Sequence, residues 1–380
     1  MGSDTKGSQL HSALPARQGE INMNFSPVRI LLVPVLFILI LLLSLLANPA
    51  AVDAGEANVF IYHRFGESRY PSTNIDPDLF ASHLEHLKKS GQTVVSLSAI
   101  VDSLHTAEGL PGQVVAITVD DAFDSFLENA MPLIRKYRIP VTLFVNTDGV
   151  GSPGYLDWDQ LRKLSAEGVE IGNHTATHDY LLEREDGEDR AGWEERVRAD
   201  ILRAQEVFAR ELGSRPRIFA YPYGEYSPRL AKLVRSLGFS AAVAQQSGVI
   251  SSESDLFALP RFPMGGPFAS LQSFRSKASM HALNAAVLSP PSPVLLDVDP
   301  PTLKVRIAPD EYDLGQLQGF VQGDNRLLIE IVNHQEGVVA IRAEKPLAGR
   351  RNKYTLTAPL KKGGGWAWFS QPWFRLDSGF

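Results

Sequence analysis

Short apolar runs alternate with helical patterns from about residue 57 to residue 285, and this alternation leaves few folds open to the chain. Runs such as "NVFIYH" (58–63) and "QVVAITV" (113–119) are almost continuously apolar, which is typical of strands buried on both faces. Between them, stretches such as "PDLFASHLEHLKKSG" (77–91) place apolar residues at helical spacing. The pattern predicts an α/β fold, a closed or nearly closed (β/α) barrel of about seven strand–helix units.

The pattern of apolar and polar residues changes after the barrel region. Residues 286–300, "AVLSPPSPVLLDVDP", contain four prolines and are predicted to be a linker. Segments beyond it, such as "TLKVRIAP" and "RLLIEIVN", alternate apolar and polar residues with turn residues between them. We therefore predict a barrel domain over 55–285 and a small antiparallel, sandwich-like accessory domain over 301–380.

One apolar stretch near the start of the chain indicates export. Residues 30–46, "ILLVPVLFILILLLSLL", are apolar apart from one serine, which suits either a membrane span or the core of a long signal peptide. The "VDA" at 52–54 fits cleavage after Ala54, and an uncleaved anchor is the alternative. Residues 1–54 are thus predicted to be a signal peptide or membrane anchor. The functional part is expected to be periplasmic or extracellular, with residues 30–46 as its anchor if the leader is retained.

Charge and cysteine content narrow the chemistry. The chain of 380 residues has a formal net charge of −6, which argues against a nucleic-acid partner because such proteins usually present a basic face. It contains no cysteine, so it has neither disulfides nor a thiolate to bind metal or attack a substrate. Any bound metal must be held by His, Asp or Glu.

Polar side chains follow four of the predicted barrel strands. Active sites of parallel α/β barrels gather at the carboxyl ends of the strands, so these positions carry weight. Taken singly, a paired Asp is often a helix cap and Pro-Tyr-Gly is usually a turn. Their joint occurrence at corresponding strand ends instead favours one shared site. The residues concerned are Asp120 with Asp121, His174 with His178, Tyr223, and His63.

These motifs resemble a known family. "TVDD" followed by "FDS", then "HTATH" and "YPYG", is similar to the NodB-homology polysaccharide deacetylases, carbohydrate esterase family four. "FIYHRF" and "FAYPYGEYS" most resemble the exported poly-β-1,6-N-acetylglucosamine deacetylases of biofilms. The resemblance covers about residues 57–275 and not the C-terminal domain. It implies a (β/α) barrel that uses a divalent metal to hydrolyse N-acetyl groups on sugar polymers.

The resemblance also implies roles for individual residues. Asp121, His174 and His178 would hold the metal, for which Zn²⁺ is expected and Co²⁺, Ni²⁺ or Fe²⁺ are alternatives. Asp120 would take a proton from the attacking water, a division of labour that spacing alone does not settle. The backbone N–H of Tyr223 would be the family's second donor to the oxyanion.

Two departures from the family pattern affect the expected site. Ala220 stands where many members carry an arginine that steadies the base, and Arg261 is expected to take its place, with Arg217 as the alternative. The late Leu-x-His motif that supplies the general acid has no clear match. His281 lies in a segment that does not look like a strand end, and His63 is the other candidate proton donor for the leaving amine.

The end of the chain is rich in aromatic side chains, and two interpretations compete. Aromatic faces stack on sugar rings, but core or interdomain packing is the commoner role of such a group. Packing is therefore favoured, with sugar binding as the minor hypothesis. The residues are Trp366, Trp368, Phe369 and Trp373.

Three functions fit the sequence. The leading one is a metal-dependent deacetylase of an extracytoplasmic amino-sugar polymer, with poly-N-acetylglucosamine ahead of chitin-like or peptidoglycan substrates. A catalytically silent module that binds or exports polysaccharide is the rival, because the arginine and acid motifs are missing. A metal-dependent hydrolase of another bond is the third. The expected partners are the polysaccharide, water and the polysaccharide export machinery of the cell envelope.

Overall fold

The computed structural model describes residues 55–106, 109–295, 299–323 and 325–377. The predicted leader and its apolar segment at 30–46 fall outside these residues, so export and anchoring stay predictions. Within the described ranges, none of the helices has the length and apolar character that crossing a membrane requires.

A curled parallel sheet forms the first part of the described chain. Its strands run in the order β10-β1-β5-β6-β7-β8-β9, with β4 beside the start of β5, while β2 and β3 pair separately. The predicted barrel is confirmed, in a distorted form. In chain order the strands are β1 (Ala57–Tyr62), β2 (Arg64–Phe65), β3 (Asn74–Ile75), β4 (Thr93–Val94), β5 (Val114–Asp120), β6 (Val141–Val145), β7 (Glu170–Asn173), β8 (Ile218–Ala220), β9 (Ala241–Val243) and β10 (Phe262–Pro263).

Helices cover the outside of this sheet, and their ends follow the sequence signals. Asp157 caps one helix and Gln160 returns the bond in a capping box, while Gly91 ends another in the left-handed conformation. The predicted helix over 77–91 is confirmed within one residue. The helices are α1 (Pro77–Ser90), α2 (Leu97–Leu104), α3 (Met131–Tyr137), α4 (Trp158–Ala166), α5 (Arg190–Leu212), α6 (Pro228–Ser236) and α7 (Leu271–Ala278).

One extended stretch that includes β10 closes the sheet. On one side, the N–H of Ala244 donates to the carbonyl of Leu259 at 2.9 Å, which joins the stretch to β9. On the other, the N–H of Met264 donates to the carbonyl of Ile61 at 2.9 Å, which joins it to β1. Arg261 lies between these two attachments and is fully buried. The seam of the barrel therefore delivers a guanidinium to the barrel interior.

Two largely antiparallel sheets follow the barrel and pack face to face, as predicted. One sheet has the order β12-β14-β17-β16, and the other β11-β19-β18-β15 with β13 also on β19. Buried residues of both sheets, such as Val305, Ile341 and Trp373, fill the space between them. The strands are β11 (His281–Ala282), β12 (Ala285–Ser289), β13 (Val294–Leu295), β14 (Thr302–Ile307), β15 (Gln318–Val321), β16 (Leu327–Asn333), β17 (Val338–Ala343), β18 (Arg351–Pro359) and β19 (Trp366–Arg375).

The segment 286–300, predicted to be a linker, contains strand residues of both sheets. Val287 of β12 pairs with Val305, and Val294 of β13 pairs with Phe374. The prolines are compatible with this because all four lie outside β12 and β13, so none removes an N–H from these strands. The domain boundaries at 285 and 301 stay predictions.

Of the four aromatic residues named near the end of the chain, Trp373 is buried and the other three are half-buried. Trp373 is fully buried between the two sheets, with its ring 5.4 Å from that of Tyr354. Trp368 meets Phe262 of β10 edge to face at 5.5 Å, so it joins the β domain to the barrel. For these two tryptophans the packing interpretation accounts for the burial.

We predict that Gly172→Ala destabilises the barrel. A Cβ at this position in β7 would lie 2.2 Å from Cδ1 of the fully buried Phe144, and overpacking of this kind typically costs about 1–3 kcal/mol. Chemical denaturation measures the loss. Gly192→Ala in α5 is the control, because its new Cβ would lie no closer than 3.2 Å to its nearest neighbours, the side chains of Glu188 and Asp189. Equal stability of the two variants would contradict the prediction.

Candidate metal centre and active site

Three predicted ligands converge at the carboxyl end of the barrel. Asp121 directly follows β5, and His174 directly follows β7, with β6 between these strands in the sheet. Oδ1 of Asp121 lies 3.4 Å from Nε2 of His174 and 3.2 Å from Nε2 of His178. The two imidazole Nε2 atoms are 3.2 Å apart. The three atoms therefore form a nearly equilateral triangle.

This triangle fits a divalent cation. Four ligands placed tetrahedrally at about 2.0–2.1 Å from Zn²⁺ are separated from one another by about 3.3–3.4 Å, close to the spacing of these atoms. Oδ1 of Asp121 is buried and has no hydrogen-bond partner among the described residues, although both imidazoles are near. A buried oxygen without a partner is costly unless a cation or proton occupies the space before it. The Asp-His-His set is therefore a candidate site for one divalent metal ion.

His174 is oriented by a backbone carbonyl. Its Nδ1 lies 2.8 Å from the carbonyl oxygen of Ala220, at the end of β8. Donation of the Nδ1 proton to that oxygen leaves the lone pair on Nε2, which faces Asp121 and His178. Such support fixes both the tautomer and the direction of an imidazole ligand.

The loop that carries His178 is held by side-chain caps. Oδ1 of Asn173 accepts from the N–H of Thr175 at 2.7 Å, and Oγ1 of Thr175 accepts from the N–H of His178 at 2.9 Å. Asp200 of α5 accepts from the N–H of Thr177 at 3.2 Å. These bonds fold the H-x-x-x-H segment into a tight loop, so both rings point to one place.

Backbone strain concentrates around the same point. Among the described residues, five of the six non-glycine residues with positive φ belong to the site or adjoin it. Left-handed conformations are unfavourable for such residues and persist where the surroundings enforce them, commonly at functional sites. The five are Asp121, Ala122, Thr175, His178 and Tyr223.

Asp120 has a different partner from its neighbour. Arg261 donates from its two terminal nitrogens to the two carboxylate oxygens of Asp120, at 2.7 and 2.8 Å, and both side chains are fully buried. The structure thus brings together the residues expected to be base and base-steadying arginine. Arg217, the alternative, forms an exposed ion pair with Asp102 instead. Asp120 is 3.9 Å from Nε2 of His174 and lies beside the triangle, not in it.

Opposing effects set the ionisation of these groups. Burial by itself raises the pKa of Asp120, but Arg261 and His174 outweigh it and hold the pKa below its usual range. Burial likewise raises the pKa of Asp121, and the His174 and His178 imidazoles hold it well below. Burial lowers the pKa of His174, while the two carboxylates shift it upward overall. Both aspartates are therefore ionised at neutral pH.

The two candidate proton donors lie at opposite ends of the barrel. His63 directly follows β1 and lines the same cleft as Asp121 and His178. Burial lowers the pKa of His63, although both aspartates act in the other direction. Nδ1 of His281 lies 2.7 Å from a carboxylate oxygen of Glu56, which precedes β1 at the amino end of the sheet. His281 is therefore remote from the triangle.

The Tyr223 turn forms another edge of the site. Pro222–Gly224 make a short 3₁₀ turn in which Tyr223 has φ 59° and ψ 3°. Its ring stacks on Tyr180 at 4.0 Å and meets His178 edge to face at 4.7 Å. Sequence reasoning missed Tyr180, although its place two residues after the second histidine was a usable signal.

The cleft over these residues has one wall from the β domain. Its volume is about 610 Å³, and it is lined on the barrel side by His63, Asp121, His178 and Tyr223. The start of β18 supplies the facing residues, which the sequence analysis did not anticipate. A second cavity of about 440 Å³, beside Gln246 and Trp368, contains none of the triangle residues. The facing residues are Arg350, Arg351, Asn352 and Lys353.

Comparisons with known proteins agree with this geometry. Residues 107–242 match the family model described as polysaccharide deacetylase. A poly-beta-1,6-N-acetyl-D-glucosamine N-deacetylase of Escherichia coli (strain K12) is 23% identical over 210 residues, which cover 46% of this chain and 31% of that protein. The chain thus matches about a third of the length of that relative.

Two solved structures share the fold. A Streptococcus pyogenes deacetylase, PplD, in complex with acetate superposes with a TM-score of 0.53 at 21% identity, covering 59% of this chain and 98% of that one. IcaB from Ammonifex degensii superposes with a TM-score of 0.51 at 28% identity, covering 59% and 96%. The likeness covers little more than half of this chain.

We predict that the purified protein binds about one divalent ion per chain. His178→Ala removes one of three ligands, so we expect the variant to lose the ion. It should also lose the increase in melting temperature that metal binding gives the wild type. Metal analysis and melting with and without a chelator measure both. His334→Ala, at an exposed position in the β domain, is the control and keeps the ion. One bound metal ion per chain in His178→Ala would contradict the assignment of His178 as a metal ligand.

We predict that Arg261→Met destabilises the protein by about 3–5 kcal/mol, because it leaves the buried Asp120 carboxylate without its partner. Denaturant unfolding measures the difference. Arg217→Met removes an exposed ion pair and should change the free energy of unfolding by less than about 1 kcal/mol. A similar effect of both variants would contradict a buried pairing.

Proposed function

We propose that this chain, which belongs to the NodB-homology polysaccharide deacetylases (carbohydrate esterase family four), is a metal-dependent hydrolase that removes N-acetyl groups from an amino-sugar polysaccharide. The observation that carries the proposal is that two adjacent residues at the end of β5, a candidate metal ligand and a candidate base, have different partners. Asp121 joins two imidazoles in a metal-sized triangle, while the adjacent Asp120 stays outside it as an ionised carboxylate paired with Arg261.

The donor set favours zinc. Asp121, His174 and His178 offer one carboxylate oxygen and two imidazole nitrogens, ligands that suit Zn²⁺ and leave room for water and substrate. Co²⁺, Ni²⁺ and Fe²⁺ accept the same donors and are the alternatives. An ion held here would polarise the acetyl carbonyl and make water more acidic.

The remaining steps are assigned to this chain's own residues. Asp120, ionised beside Arg261, takes the proton of the attacking water. The backbone N–H of Tyr223 donates a hydrogen bond to the oxygen that becomes negative as water adds to the carbonyl. His63, on the same cleft, is the proposed donor of a proton to the departing amine, a role that needs the protonated imidazole, which burial disfavours and the charges of Asp120 and Asp121 favour. Water and the acetylated sugar are the reactants, and acetate and a free amine are the products.

Poly-N-acetylglucosamine is the proposed polymer. The E. coli relative carries that substrate in its name, and the sequence motifs at 60–65 and 219–227 resemble enzymes of that kind. The predicted leader places the enzyme outside the cytoplasm, either free or anchored through residues 30–46. A position beside the polysaccharide export machinery of the cell envelope follows from that placement.

A catalytically silent binding or export module is the alternative. Its support was the absence of the family's arginine and of its late histidine motif. Arg261 occupies the place against Asp120 where such an arginine is needed, which weakens the first reason. A binding module also has no need for an ionised carboxylate beside a metal triangle.

We predict that the metal-loaded protein releases acetate from N-acetylglucosamine oligomers. Asp120→Asn should keep the ion and lower kcat by about 10²–10⁴-fold, because the water loses its base. Acetate release and metal content are measured on the same samples. Asp102→Asn, at an exposed ion pair, is the matched control with unchanged turnover. Full activity of Asp120→Asn would refute the assignment of the base.

A further inference from the structure

One arginine of the β domain binds both loops that carry the site. Nε and one terminal nitrogen of Arg350 donate to the two carboxylate oxygens of Glu225, at 2.8 and 2.7 Å. The other terminal nitrogen donates to Glu183. Glu225 directly follows the Tyr223 turn, and Glu183 lies five residues after His178. A single guanidinium just before β18 therefore connects the two loops.

This contact is not an ordinary surface ion pair. The side chain of Glu225 is 1% exposed, and that of Arg350 is 17% exposed. Exposed ion pairs contribute little, whereas a shielded bidentate pair fixes the position of both partners and is costly to break on one side. The pair therefore has the strength to hold a loop in one place.

Aromatic contacts extend from this arginine to the metal triangle. The guanidinium carbon of Arg350 lies 4.1 Å from the centre of the Tyr180 ring. Tyr180 stacks on Tyr223, and Tyr223 contacts His178. These groups form a continuous packed layer, so a shift at Arg350 reaches both Tyr223 and the ligand His178.

The neighbouring arginine, whose side chain is 46% exposed, also contacts the turn. A terminal nitrogen of Arg351 donates to the carbonyl oxygen of Tyr223 at 3.2 Å. Tyr223 is held at a positive φ, a conformation that a non-glycine residue keeps only under constraint. An oxyanion donor must be aimed correctly, since displacements of about 1 Å can cost a hundredfold in rate.

From these contacts we propose that the β domain completes the catalytic unit, with Arg350 and Arg351 as positioning residues that hold the Tyr223 turn and the His178 loop in working geometry. The kinetic consequence rests on the proposed deacetylase function. The alternative, that Arg350 only joins two domains, predicts a loss of stability with no separate loss of turnover.

The decisive experiment separates stability from turnover. Arg350→Met should lower both Tm and kcat, the latter by about ten- to a hundredfold, with KM changed by less than about twofold and the metal retained. In Arg350→Met the buried Glu225 carboxylate keeps only a 4.0 Å contact with Arg351, and the double variant Arg350→Met with Glu225→Gln removes that charge, so it should regain stability but not kcat. Arg326→Met, which breaks an exposed pair with Glu344, is the matched control and should match the wild type.

Recovery of kcat together with Tm in the double variant would overturn the positioning role, as would an unchanged kcat in Arg350→Met. Both results would leave Arg350 as a link between domains and nothing more. The comparison uses the full chain loaded with Zn²⁺ and the same N-acetylglucosamine oligomers for every variant.

Amide hydrogen exchange tests the positioning role of Arg350 without any measurement of enzyme activity. Peptides covering 175–183 and 221–227 should exchange about tenfold faster or more in Arg350→Met than in the wild type, because the opening of both loops becomes easier. Arg326→Met should leave them unchanged. If the wild type releases no acetate, the proposed function fails while this arm still tests the positioning. Unchanged exchange of both peptides in Arg350→Met overturns it.

Discussion

Two adjacent carboxylates at the end of one strand, of which Asp120 is fully buried and Asp121 is 15% exposed, are the constraint around which the site is built. Asp120 and Asp121 follow one another, and neither can be buried as an anion without its own positive partner. Arg261 from the closing seam neutralises Asp120, while Asp121 faces two imidazoles from beyond β6. The stretch that closes the barrel therefore also completes the site, because it carries the guanidinium of Arg261 that pairs with Asp120.

Much of the barrel and of the metal triangle was predictable from the sequence, because the relevant signals are local. Apolar runs and helical spacing predicted the strands and helices, and parallel strands bring their carboxyl ends together. That rule alone places Asp121 near His174 and His178. It does not say which aspartate is the ligand; for that the family resemblance was needed, and the structure adds the reason, since Arg261 already occupies both oxygens of Asp120.

Contacts between the barrel and the β domain were not predictable. Glu225 and Arg350 are 125 residues apart, and their pairing depends on how two separately patterned domains pack. No local periodicity encodes such a contact, so the role of the β domain was missed. The strand pairing within the segment 286–300 was missed for a related reason: its partners lie in distant parts of the chain, and the prolines of the segment gave no signal of them.

The central claim is that Asp121, His174 and His178 hold one cation, while the neighbouring Asp120 stays paired with Arg261 and does not bind the cation. Anomalous diffraction at the zinc edge from crystals of the zinc-loaded protein tests it most directly. The account predicts a single strong peak about 2.0–2.2 Å from one oxygen of Asp121 and from Nε2 of both histidines, with the carboxylate of Asp120 still on Arg261. A peak elsewhere in the protein, or one with Asp120 as a ligand in place of Asp121, would contradict it.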